Sequence, residues 1–180
     1  MLKITVPACE FFDDSTQTFY QTKEQILSLE HSLVSISKWE AKYNVPFLSD
    51  KDMTDEQTLY YIKCMTLTQN VSDIVYKCLT VENIREISEY INAPMSATTV
   101  PKMSGNRNRE IVTSELIYYW MIELHIPVEF QKWHLNRLLK LIDVCNFKND
   151  PKKNKMSFAQ LADHNRKLNA ERKKRLHTTG

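Results

Sequence analysis

The spacing of apolar and polar positions changes period along the chain. Leu2-Lys3-Ile4-Thr5-Val6 alternates, is rich in β-branched side chains and ends at Pro7, which predicts a short strand. Gln25-Ile26-Leu27-Ser28-Leu29 is a second strand suited to pair with it. Between them Phe11, Phe12, Phe19 and Tyr20 form an aromatic cluster expected to close over the adjoining core. From about residue 29 the period becomes helical, with Leu29, Leu33, Ile36 and Tyr43 on one face and Trp39 alongside. That helix must stop before Pro46, which restricts Val45 and has no amide to donate.

Further helices announce themselves by their caps. Thr54-Asp55-Glu56-Gln57 reads as a capping box opening a helix to about Leu67. Asn70 or Ser72 caps a shorter one through Leu79, and Thr80 caps another that places Ile84, Ile87 and Ile91 on one face. Pro94 and Pro101 bracket a loop running through Gly105 to Asn108, with Lys102, Arg107 and Arg109 in or beside it. Arg109–Ile126 is so apolar that it predicts a helix buried nearly all round. Pro127 starts the next, over Glu129–Cys145, and these two are expected to form the hydrophobic hairpin at the centre of the domain.

After Phe147 the pattern thins. Residues 148–155 make a charged linker with Pro151, followed by Ser157 as N-cap, with Gln160 at the capping-box position, of a helix over Phe158–Leu176. Its apolar stripe, Phe158, Leu161, Ala162 and Leu168, is too thin to bury much area. The expected fold is mainly α: a compact multi-helix domain with a short N-terminal β-hairpin and a projecting basic C-terminal helix. Residues 1–147 form the helical body and residues 148–180 the linker and basic helix.

Composition narrows the chemistry. The 180 residues include two glycines, Gly105 and Gly180, where average usage would give about thirteen. Nucleotide-binding fingerprints and phosphate-cradling loops need glycine, so Rossmann and P-loop readings have no material here. The formal charge of +2 conceals an asymmetry: residues 1–147 carry −5 and residues 148–180 carry +7. An acidic body with a basic tail is a partner-binding pattern. Cys9, Cys64, Cys78 and Cys145 show no zinc-ligand spacing, and with no leader or membrane-span pattern the expectation is a soluble, cytosolic protein with reduced thiols.

Candidate chemistry is sparse. His134, between Trp133 and Asn136-Arg137, has no second histidine or carboxylate set around it in sequence and reads as a structural histidine bridging helices. His125 reads as a helix C-terminal cap. No nucleophile motif is present, so no catalytic, cofactor or metal residue is assigned. Lys152, Lys153, Lys155 and the run Arg172-Lys173-Lys174-Arg175 suit phosphate contacts, but Phe158 alone is too little for a base-stacking platform. An acidic protein surface is the better partner. The candidate contact residues are Arg166, Lys167, Arg172, Lys173, Lys174 and Arg175 for the charged face and Phe158, Leu161 and Leu168 for the apolar stripe.

At Leu29–Glu40, Tyr60–Thr66 and Trp133–Leu139, and again at Asn108–Ile111, Ile117–Met121, Asn165–Arg172 and Thr178–Gly180, the chain resembles the tail assembly chaperones of long-tailed bacteriophages. The resemblance implies a non-enzymatic protein without cofactors. It would coat the tape measure protein, keep that long helical chain soluble, help the major tail protein polymerise around it, and then leave. Host cytoplasm and absence from the mature virion follow, and coating a long client favours self-association. In many phages a frameshift adds an extension that recruits the tail tube subunit; none is visible here, which would make this the shorter product. Two other readings compete: a minor structural protein of the tail or connector, and a nucleic-acid-associated protein acting through the basic tail.

Overall fold

Four strands open the chain: β1 (Leu2–Val6), β2 (Cys9–Asp13), β3 (Thr18–Thr22) and β4 (Gln25–Leu29). They belong to a computed structural model that describes residues 1–13, 17–49, 53–99, 111–149 and 158–176. Within these ranges the side chains of Phe11, Asp13, Phe158, Ala159, Gln160, Leu161, Lys174 and Leu176 lie outside the description. The expected pairing forms: β1 runs antiparallel to β4 with Ile4 opposite Leu27, and alternation sends Ile4, Val6, Leu27 and Leu29 into the core. The intervening segment departs from expectation. It folds as a second antiparallel hairpin, β2 with β3, and Phe12 lies opposite Phe19 with both rings turned to solvent. The aromatic cluster therefore does not close over the core as a unit.

Seven α-helices follow among the described residues: α1 (Leu33–Tyr43), α2 (Asp55–Met65), α3 (Asp73–Lys77), α4 (Val81–Asn92), α5 (Ser114–Glu123), α6 (Leu135–Asn149) and α7 (Phe158–Leu176). The chain is mainly α, as expected. Their starts follow side-chain chemistry. Thr54 accepts the Gln57 amide while Gln57 accepts the Thr54 amide, and Thr80 and Asn83 make the same reciprocal pair. Ser72, rather than Asn70, caps α3. The first helix begins later than its hydrophobic period suggests, because Ser32 and Ser35 form a capping box and leave Leu29 in β4.

Two expectations about the centre need correction. Helix α5 is shorter than Arg109–Ile126 and is not buried all round: Ile117 and Met121 face the core, while Tyr119 is 57% and Ile122 76% exposed. Nor does Glu129–Cys145 form one helix. Val128–Lys132 is a 3-10 turn, and α6 starts at Leu135, because the backbone at Ser32 bridges His134 and the His31 carbonyl accepts the Leu135 amide at 2.7 Å. That tertiary pairing takes the groups a continuous helix would use. The central element is instead α1, whose Leu33, Ile36 and Trp39 are buried and which packs on α2, α5 and the 3-10 turn. Helix α6 also runs two residues past the expected end of the body at 147. The loop segment 100–110, most of the linker (150–157) and the cap Ser157 lie outside the described residues.

Cysteine use differs too. Cys9 on β2 and Cys78 at the end of α3 form a disulfide, so the expectation of four reduced thiols fails for this pair. Cys64 and Cys145 remain free and half-buried.

Tight turns are made without glycine. Helix α1 ends on Asn44 at φ 53°, and α5 ends with His125 at φ 54°. After α5 the His125 amide bonds the Ile122 carbonyl and the Ile126 amide the Met121 carbonyl, at 3.1 and 2.8 Å. This is a Schellman ending with a histidine where glycine is usual. His125 thus caps through its backbone, in the left-handed region.

A buried carboxylate joins two of these helices. Glu40, in the last turn of α1, accepts the Phe47 amide on Oε1 and the Ser114 amide on Oε2, both at 2.8 Å. Ser114 is the first residue of α5, so the negative charge sits at a helix N-terminus, where the backbone dipole favours it. Glu40→Ala leaves both amides without their acceptor and is expected to lower the unfolding free energy by about 2–4 kcal/mol, with Glu40→Gln losing less. His125→Gly relieves the left-handed backbone and is expected to raise it by about 0.5–1 kcal/mol. Urea unfolding followed by circular dichroism measures both.

Candidate protein-binding surfaces and a buried histidine hub

The short connection from β4 into α1, Glu30–Ser32, is the crossing point of the fold. The Glu30 amide bonds the Met65 carbonyl at the end of α2, and its carboxylate accepts the Tyr90 hydroxyl of α4 at 2.6 Å. His31 is buried beneath it, with its ring 5.0 Å from that of His134 and its Nδ1 hydrogen-bonded to the Tyr61 hydroxyl. Ser35 stands 3.4 Å from the same hydroxyl.

Hydrogen bonding fixes the state of His134. Its Nε2 lies 2.9 Å from the Tyr90 carbonyl, which can only accept, and the Asn136 amide donates to its Nδ1. His134 is therefore neutral with the proton on Nε2. Burial opposes the charged form of both rings: the His134 pKa is lowered, and that of His31 is lowered to about 3, with repulsion from His134 as the second cause. Burial likewise pushes the Tyr61 hydroxyl above its ordinary range. Apart from the Glu30 carboxylate, which pairs with the Met1 ammonium at 2.8 Å, the hub is a set of neutral groups bonded to one another and to main chain. It joins the start of α1 to α2, α4 and the start of α6, with His31 and His134 both buried. Among the described residues no group of three or more His, Cys, Asp or Glu is placed to hold a metal ion.

The residues expected to meet a partner lie on α7. Arg166, Lys167, Arg172, Lys173 and Arg175 are exposed, and Lys167 pairs with Asp163 at 3.0 Å. Leu168 is half-buried, where Leu168, Glu171, Arg172 and Arg175 line a cavity of about 290 Å³ with Ser96–Thr99. Phe158, Leu161 and Lys174 are helix residues whose side chains lie outside the description. The structure thus brings Leu168, Arg172 and Arg175 to one side of α7, and sends Arg166 and Lys173 to another.

Two apolar surfaces were not anticipated. On the β2–β3 hairpin Phe12 and Phe19 are 51% and 62% exposed and directly opposed. On α5, Tyr119 and Ile122 lie one turn apart between Glu115 and Glu123. The sequence did carry a sign of the second: glutamates four residues before and four after Tyr119 mark a helix face that water must reach. Nothing equivalent marks the first, since Glu10-Phe11-Phe12-Asp13 does not alternate.

No helix among the described residues is long and apolar enough to cross a membrane. No protein-family model, curated protein or solved structure matches the chain.

The hub gives stability a definite pH dependence. Above pH 6.5 His31 is neutral in both folded and unfolded chains; below it the unfolded chain takes up a proton that the folded one refuses until about pH 3. Stability is therefore lost progressively through that window as pH falls. Between pH 7 and pH 5, above most carboxylate titration, His31 alone is expected to remove about 2 kcal/mol. Urea unfolding at the two pH values tests this, and an unchanged midpoint would refute a neutral buried His31.

Proposed function

We propose that this chain is a tail assembly chaperone of a long-tailed bacteriophage, a non-enzymatic protein that binds the tape measure protein and assists assembly of the tail tube. The observation that carries the reading is the Phe12–Phe19 pair, two exposed aromatic rings directly opposed on adjacent strands of the β2–β3 hairpin. An aromatic pair held clear of the core suits the apolar stripe of a helical client. The client's identity in this reading rests on the resemblance of Leu29–Glu40, Trp133–Leu139 and Asn165–Arg172 to such chaperones.

The basic helix α7 serves in this reading as an arm directed toward an acidic protein surface. A site of action in the host cytoplasm requires the Cys9–Cys78 pair to be open there, because that compartment keeps thiols reduced. Release before the virion matures completes the role, and mass spectrometry of purified particles separates it from a structural tail component.

Co-expression with the tape measure protein provides the direct test. The complex is expected to survive pull-down, and Phe12→Ser combined with Phe19→Ser to reduce recovered client by about tenfold. A tape measure protein equally soluble without this chain would sink the reading. Salt-dependent nucleic-acid binding by the isolated full chain would favour the alternative acting through its basic tail.

A further inference from the structure

The exposed face of α5 is ordered in composition, and its first glutamate, Glu115, accepts the hydroxyl of the neighbouring Ser114 at 3.3 Å. Glu115, Tyr119, Ile122 and Glu123 share one side of the helix, and all four are exposed. Eight residues separate the two glutamates, about 12 Å along the axis. The pattern is an apolar centre between two negative ends, and α5 carries no basic residue to neutralise it.

Helix α7 carries the matching pattern. Its inner side, through Leu168, lines the cavity it shares with Ser96–Thr99. On the opposite side Arg166, Ala170 and Lys173 fall at successive helical turns, and all three are exposed. Arg166 and Lys173 are seven residues apart, about 10.5 Å. Two positive ends thus flank a small residue over which Tyr119 and Ile122 can pack, and the arginine stem adds apolar surface of its own.

We propose that the outward face of α7 docks on the α5 face of a second copy of this chain, with Glu115 and Glu123 meeting Arg166 and Lys173. The occupant is another molecule because the Leu168 side of α7 lines a cavity with the chain's own Ser96–Thr99, and the basic side lies opposite to it on the helix. The contact joins unlike surfaces, so two copies can make it reciprocally or many can make it head to tail. It does not depend on the identity of the client.

The test is sedimentation velocity on the full chain at low and high salt. The wild-type chain is expected to associate with rising concentration, and salt to weaken the association. Glu115→Lys with Glu123→Lys, or Arg166→Glu with Lys173→Glu, is expected to weaken it by about a hundredfold. Mixing these two variant chains restores the opposite charges and is expected to recover a complex that neither forms alone. If a reversed chain loses its helical circular dichroism, Tyr119→Ser with Ile122→Ser replaces it and is expected to weaken association likewise. A wild-type chain that stays monomeric at every concentration and salt overturns the proposal, whether α5 is then covered by its own tail or by a client. Association that persists unchanged in the reversed chains overturns it equally.

Discussion

The hydrogen bond from the Leu135 amide to the His31 carbonyl, 2.7 Å long, sets the arrangement of the helices. It ends the 3-10 turn, starts α6 and holds the β4–α1 connection against it, with Ser32 and His134 bridged alongside. A buried connection of this kind leaves main-chain groups that no regular ladder satisfies, and each must find a partner. Here the partners come from α2, α4 and α6, so the same few residues that break the secondary structure bind four helices together. The neutrality of His31 and His134 is the condition for it: a charged imidazole at that depth would need a counter-ion that the hub does not supply at His31.

Glu40 does similar work at the other end of α1. Its two oxygens hold the turn after α1 and the first amide of α5, which fixes the entry of α5 onto the central helix. Helix α1 is thus anchored by polar groups at each end and by Leu33, Ile36 and Trp39 along its length. This explains why α1, and not the more apolar α5, occupies the centre. Hydrophobicity decides what is buried, while the satisfaction of main-chain groups decides where each element sits.

Much of this was legible in the sequence wherever the signal is local. The Thr54–Gln57 box, the Thr80 cap, the β1–β4 pairing and the span of α7 depend on neighbouring residues or on a simple period. What escaped depends on distance. The break at Trp133–His134 comes from a bond to His31, a hundred residues away, and the Glu40 contact with Ser114 has no sequence sign. The exposure of Tyr119 and Ile122 was obscured because an apolar run predicts burial without saying on which sides. For the binding surfaces, the basic residues of α7 are plain from composition, whereas the exposure of Phe12 and Phe19 is not, because an aromatic cluster predicts burial.

The Cys9–Cys78 bond carries a topological consequence. It joins residues 69 apart and so closes a covalent ring containing most of the N-terminal half: β2, β3, β4, α1, α2 and α3. A protease that cuts once inside this ring releases no fragment while the bond is intact. The chain migrates whole until it is reduced, so a nick in the hairpin or in the α1–α2 connection shows only when oxidised and reduced samples are compared.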